Sequence, residues 1–384
     1  MTLSSKLNNL LNSFVEKGPT GCSMQVMHQG KNIFEQYVGY ADMETNTPIS
    51  PDSIFRLHSL TKVVTCTAAL ILYERGEFLL HDPLEEYLPE FKNMQVYKKD
   101  NQGEIYTTAS QRSITVKDLF TMTSGLTYPG DGSETERQAG IAMEKLKKEN
   151  KLSNRQLSKA LAAIPLAFEP GKEWRYGLSH DVLGALIEVI SGKSLGDFIK
   201  DNIFEPLDMN DTFFIVPENK VNRLACLYNR SEEGELSRNT AFDEHFQPES
   251  SYESGGAGLL STLNNFSRFA HMLASGGEWN GQRILGEKTI NLMTMNHLNE
   301  EQMQQFNWDY LRGYGYGLGV RTMINPAQGG SNSSIGEFGW SGLAGTWVMI
   351  DPKEKISAVY MQQMFPNFEA YHQPRLRSVI YGSL

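Results

Sequence analysis

The chain has 384 residues, 40% hydrophobic and 21% charged, with a net charge of -10 and a pI near 5.4. That is the composition of an ordinary globular protein, long enough for two to three structural domains. The acidic balance disfavours nucleic acid and anionic membrane surfaces as partners, and no stretch approaches the roughly 18 apolar residues of a membrane span.

The first eleven residues, Met1 to Leu11, lack the apolar core and small-residue cleavage site of a signal peptide and predict an amphipathic helix covering a sheet. A cytoplasmic location is therefore expected. Residues 22–39 read as two strands turned at Gln29-Gly30.

Next comes Ser59-Leu60-Thr61-Lys62, followed by an uncharged run from Val63 to Tyr73 that ends at Glu74, Arg75 and Gly76. A helix apolar all round is a buried helix. Lys62 stands in its first turns, where an ammonium is costly unless paired or deprotonated. Residues three apart on a helix are neighbours, so Lys62 lies beside the Ser59 hydroxyl near the positive end of the helix dipole. A lysine depressed by burial is a general base, and the serine within its reach is a nucleophile. The plain alternative, an N-cap serine with a snorkelling lysine, fits the uncharged run less well.

From about residue 77 to 171 the signals are helical, with a charged, solvated stretch at 144–151. Residues 172–250 mix helix and loop, with Ser179 expected to cap a helix running to about Ser191 and a polar segment at 228–250. Tyr314-Gly315-Tyr316-Gly317-Leu318-Gly319 reads as a strand packed closely on its neighbours, not as a dinucleotide fingerprint. The loop 325–334 is expected to be flexible and to gate a cleft. Strands at 346–351 and 356–362 and a last helix from about Pro374 complete the chain. Cys22, Cys66 and Cys226 are too few and too scattered for a disulfide framework, which fits a reducing compartment.

The run Phe55-Arg56-Leu57-His58-Ser59-Leu60-Thr61-Lys62 resembles the active-site helix of the serine β-lactamase-related superfamily. That superfamily includes class C β-lactamases, penicillin-binding DD-peptidases, family VIII carboxylesterases and related acyltransferases. Gly76 to Pro89, Thr115 to Leu126, Phe204 to Thr212 and Gly255 to Thr262 match further segments in the same order, so the resemblance runs from about Gly21 to the last strands. It implies an α/β (α+β) fold. Residues 1–76 and 251–384 would form an antiparallel sheet flanked by helices, 77–250 a mainly helical insertion, and the catalytic groups would sit at the seam.

The resemblance also implies two further catalytic elements. Tyr176-Gly177-Leu178 takes the place of a Tyr-x-Asn loop, making Tyr176 a proton-transfer partner of Lys62; Leu178 departs from the asparagine of β-lactamases and leans toward family VIII esterases. Trp340-Ser341-Gly342 takes the place of Lys-Thr-Gly, and an indole does not pair with a substrate carboxylate as lysine does. A neutral or aromatic-tolerant pocket is expected, lined by Tyr128, Leu178, Trp340, Ser341 and Gly342. The backbone N–H groups of Ser59 and Leu343 are implied as the oxyanion donors, and Gly342 suits close approach of a substrate to the backbone.

Competing chemistries are weaker. Gly339-Trp340-Ser341-Gly342-Leu343 begins like a nucleophile elbow but ends in leucine, so Ser341 is a decoy. None of the eight histidines forms a metal-spaced cluster, and His58 and His180 are expected to be structural hydrogen-bonders. No metal or cofactor is expected. The expected function is an esterase of family VIII type acting on a small acyl ester. Alternatives are an acyltransferase with the same machinery, a β-lactamase or D-aminopeptidase, and a catalytically silent binding protein.

Overall fold

The computed structural model describes residues 2–248 and 250–384. Its centre is an eight-stranded antiparallel sheet. In spatial order the strands are Tyr314–Tyr316, Arg321–Met323, Phe338–Ser341, Trp347–Asp351, Ile356–Gln362, Gly21–His28, Lys31–Asp42 and Thr47–Pro48. The two ends of the chain meet at its middle, where Cys22 pairs with Gln362 and His28 with Ile356. The hairpin turns at Gln29-Gly30, with both residues at positive φ.

Successive side chains of a strand point to opposite faces, and this alternation builds two cores. Ala358 and Tyr360 face the terminal helices Leu3–Lys17 and Glu369–Tyr381, meeting Leu7, Leu11, Phe14, Leu376 and Ile380. Val359 and Met361 face the larger core, which holds the helices Thr61–Glu74 and Leu263–Ala274. The first helix thus covers the sheet, as its amphipathic pattern predicts. The last helix begins at Glu369, not near Pro374; the proline sits inside it.

Between the sheet's two halves in sequence, the chain is helical with strand hairpins. Gln95–Lys99 pairs with Ile105–Ala109, and Leu227–Arg230 with Leu236–Asn239. The stretch expected to be helical from 77 to 171 therefore contains a hairpin. Tyr97, Tyr106, Thr107 and Thr108, rich in β-formers, carry that signal in hindsight. Ser179 is the first residue of the helix Ser179–Ser191 and not its cap; Leu178 holds that position, and the Ser179 hydroxyl instead meets Ser124 Oγ at 2.9 Å. No helix among the described residues is long and apolar enough to cross a membrane.

Candidate active site

Every residue from Thr61 to Leu72 is buried, as the uncharged run requires. Ser59 lies just before this helix, half-buried on a short 3-10 turn, His58–Leu60. The turn is pinned by pairing of Ile54–Arg56 with Leu260–Thr262. Two further bonds knit the segments: Leu57 N–H to the Leu259 carbonyl (2.9 Å), and Leu259 N–H to Thr61 Oγ1 (3.0 Å). The glycine-rich stretch 255–258 is thereby laid against the start of the helix.

Lys62 is 0% exposed. Its Nζ donates to the Gly256 carbonyl at 2.7 Å, to Tyr128 Oη at 2.8 Å and to Ser59 Oγ at 3.3 Å. Those three acceptors match the three donors of an ammonium. Burial nevertheless pulls its pKa down to about 8, against the opposing charge of Asp181. Asp181 is itself buried and accepts from Tyr252 Oη at 2.7 Å, Ser254 Oγ at 2.6 Å and the Gly256 N–H at 3.3 Å. It holds the loop whose carbonyl holds the lysine. A Cβ on Gly256 would lie 2.6 Å from Asp181 Oδ2 and 3.5 Å from Lys62 Nζ, so no side chain fits between them.

The two tyrosines divide their contacts. Tyr128 bonds Lys62 directly, whereas Tyr176 turns its ring face to the amine, 4.6 Å from Nζ to the ring centroid. The Tyr176 oxygen accepts from Trp340 Nε1 at 2.8 Å. Burial raises both phenols, and in each a hydrogen bond with Ser59 opposes it. Both are therefore neutral phenols near pH 7, and Lys62 is the group touching Ser59 whose protonation changes near neutrality. The expectation of one tyrosine beside the lysine becomes a pair, and the one in direct contact is Tyr128, expected only as pocket wall.

Two cavities open at Ser59, and Tyr176 and Leu343 line both. One, about 580 Å³, lies on the His58 side, where Tyr128, Met143, Leu152, Leu178, Phe242 and Phe246 form much of its wall. The other, about 300 Å³, runs past Trp340, Ser341 and Gly342 toward Trp308, Tyr310 and Glu369. Each expected pocket residue thus borders one cavity or the other. Gly342 owes its lack of a side chain to the protein's own packing: a Cβ there would fall 2.3 Å from the Leu57 carbonyl oxygen and overlap Thr346. Ser341 is hydrogen-bonded by Gln373 Nε2 at 2.9 Å.

The loop 325–334 does not border either cavity. Asn332 bonds the Ser378 carbonyl on the last helix, and Ser334 reaches Glu354 at the far turn of the sheet. The cleft wall comes instead from 308–311 and 367–369. His180 bonds the Phe120 carbonyl at 3.2 Å as a structural histidine. His58 does not hydrogen-bond through Nε2; it packs edge-on against Phe242 and Phe246, and burial drops its pKa to about 3, keeping it neutral. Asp181 and Gly256 carried a legible signal, an acid in an apolar helix and a Gly-Gly-Ala-Gly run. Trp308, Tyr310 and Glu369 carried none.

Residues 7–380 match the family described as Beta-lactamase. Protein Rv1367c of Mycobacterium tuberculosis is 30% identical over 354 residues, covering 91% of this chain and 86% of that protein. Esterase EstB of Burkholderia gladioli is 27% identical over 359 residues, covering 88% and 84%. Among solved structures, EstCE1, a hydrolase with promiscuous acyltransferase activity, superposes with a TM-score of 0.83 over 99% of this chain and 98% of its own, at 24% identity.

Proposed function

The chain belongs to the beta-lactamase family, and on that premise we propose that it cleaves carboxylic esters through an acyl-enzyme on Ser59. The observation that carries this reading is the buried Lys62 amine, 3.3 Å from the Ser59 hydroxyl with its pKa drawn down to about 8. As the free amine, Lys62 has a lone pair to take the Ser59 proton while Oγ attacks the ester carbonyl. The carbonyl oxygen becomes an oxyanion facing the backbone N–H groups of Ser59 and Leu343. Collapse breaks the bond to the alkoxide, which leaves with the proton handed on by Lys62 through Tyr176 or Tyr128. Water then adds to the acyl-enzyme, gives its proton back along the same path and releases the acid.

Trp340 stands where the family resemblance would put a substrate-binding lysine, which supports a neutral ester over a β-lactam. EstB, the relative reported above, is an esterase. The cytoplasmic reading is supported by three cysteines that are buried and free.

A second reading, acyl transfer to an alcohol or amine, is favoured by the second cavity beside Ser59, which gives an acceptor room next to the acyl group. EstCE1 is described as combining both activities. The test is stoichiometric labelling of Ser59 by a fluorophosphonate, with Ser59→Ala unlabelled, joined to a screen of p-nitrophenyl esters beside nitrocefin, with and without added acceptors. Failure of the folded wild type to take the label would end the enzyme reading. Transfer product in excess of free acid would move it to acyltransferase.

A further inference from the structure

We infer that the cavity between Trp308, Tyr310, Trp340 and Glu369 selects substrates whose alcohol or amine side carries a positive charge, a quaternary or protonated ammonium. The inference rests on the ester-cleaving reading of Ser59 and assigns that reaction its substrate class. The cavity begins at Ser59, holds about 300 Å³ and reaches Glu369. Its walls are aromatic. Tyr176 and Trp340 lie with centroids 5.4 Å apart, Trp308 stands 5.6 Å from Tyr176 and 6.2 Å from Trp340, and Tyr310 continues 6.0 Å beyond Trp308. Aromatic faces attract a cation that comes within about 6 Å of a ring centre, and more strongly once it is desolvated.

At the far end stands a carboxyl group whose pKa burial raises, opposed by its hydrogen-bonding neighbours and the charge of Arg321. Glu369 is half-buried, opens the last helix, and meets Gln373 Nε2 at 3.4 Å with Asn367, Ser341 and Tyr310 around it. Among the described residues no cationic side chain comes within 4.0 Å of it. The positive side chain lining the floor, Arg321, is buried and engaged through one nitrogen. Its Nη2 bonds the Val348 carbonyl at 3.1 Å and lies 3.7 Å from Glu337, which Arg377 also approaches at 3.3 Å. Arg321 Nε and Nη1 are buried beneath the floor and have no hydrogen-bond partner. A cation has the Glu369 carboxyl group and four aromatic side chains, Tyr176, Trp308, Tyr310 and Trp340, along the cavity. Two arginines on one glutamate leave a positive charge beneath the floor, which opposes a bound cation and limits the expected preference to about tenfold.

The test compares a choline ester with the 3,3-dimethylbutyl ester of the same acid, in which carbon replaces the charged nitrogen. The wild type should favour the choline ester by about tenfold in kcat/KM at low salt, less at high salt, and Glu369→Gln should bring the ratio close to one. A wild-type ratio near one, or a ratio unmoved in Glu369→Gln, overturns the inference while leaving ester cleavage standing. Calorimetric titration of tetramethylammonium into the wild type, Ser59→Ala and Glu369→Gln reads the cavity without turnover. Saturable binding that survives in Ser59→Ala and weakens in Glu369→Gln is expected, and its absence from the wild type also overturns the inference. Binding without cleavage of either ester would sink the ester reading alone.

Discussion

The cavity on the His58 side and the cavity on the Trp308 side share Ser59, yet their walls offer a ligand different physics. The first is walled by Met143, Leu152, Phe242 and Phe246, whose attraction scales with apolar area and carries little direction. The second is bounded by stacked rings, a serine and a carboxylate, which fix orientation. An ester also has two unlike sides. The apolar cavity suits a hydrocarbon acyl chain, and the aromatic one suits the group that must leave, or an acceptor that must enter. In the proposed reaction, proton transfer takes place at the seam between them, and selectivity is left to two walls that can vary separately.

The largest effect should come from breaking what both cavities share. Lys62→Met should lower kcat by about 10³-fold on every ester, since it removes the proposed base; fluorophosphonate labelling rates and steady-state kinetics check it. In the wild type the rate should climb as pH rises through about 8, the range in which burial has put the Lys62 proton, because only the free amine accepts from Ser59. A pH–rate profile flat between 6 and 9 would remove that role.

Next in size, each tyrosine replaced by phenylalanine should cost roughly 10²-fold in kcat, but the profiles should separate. Tyr128→Phe deletes an acceptor of the ammonium, which disfavours the charged form, so the acid limb should shift to lower pH. Tyr176→Phe keeps the ring face that Nζ meets, so its limb should stay near the wild-type position. Identical profiles would erase the distinction between the two phenols.

Gly256→Ala should cost about 1–3 kcal/mol of stability, by wedging a methyl group between Asp181 and Lys62. Thermal melts measure that loss, and displacement of the Gly256 carbonyl should also lower kcat. The smallest effect belongs to one cavity only. Phe242→Ala should reduce the preference for a long acyl chain over acetate by about tenfold, leaving the choice of alcohol where it was. A uniform loss across chain lengths would detach Phe242 from acyl recognition.

Legibility followed the range of the interaction. The contact between Ser59 and Lys62 spans three residues of backbone turn, and the surrounding burial was written in the apolar run from Val63 to Tyr73. The first helix was legible as well, because an amphipathic pattern is a local signal, while the antiparallel sheet was implied by the resemblance. The hairpin at 95–109 was obscured by helical neighbours. The supposed gate at 325–334 was misjudged because loop composition does not say which end of a sheet the loop occupies.

By itself, then, the sequence determined the pairing of a hydroxyl with a buried amine, through short-range periodicity and the cost of burying charge, and the fold class through its resemblance to the superfamily. Tertiary structure alone decided that Tyr128 bonds Lys62 while Tyr176 offers it a ring face, that the Gly256 carbonyl is the amine's third partner, and that residues 308–311 and 367–369 wall the second cavity. Those contacts join segments far apart in the chain, and their meeting depends on how the sheet and helices pack.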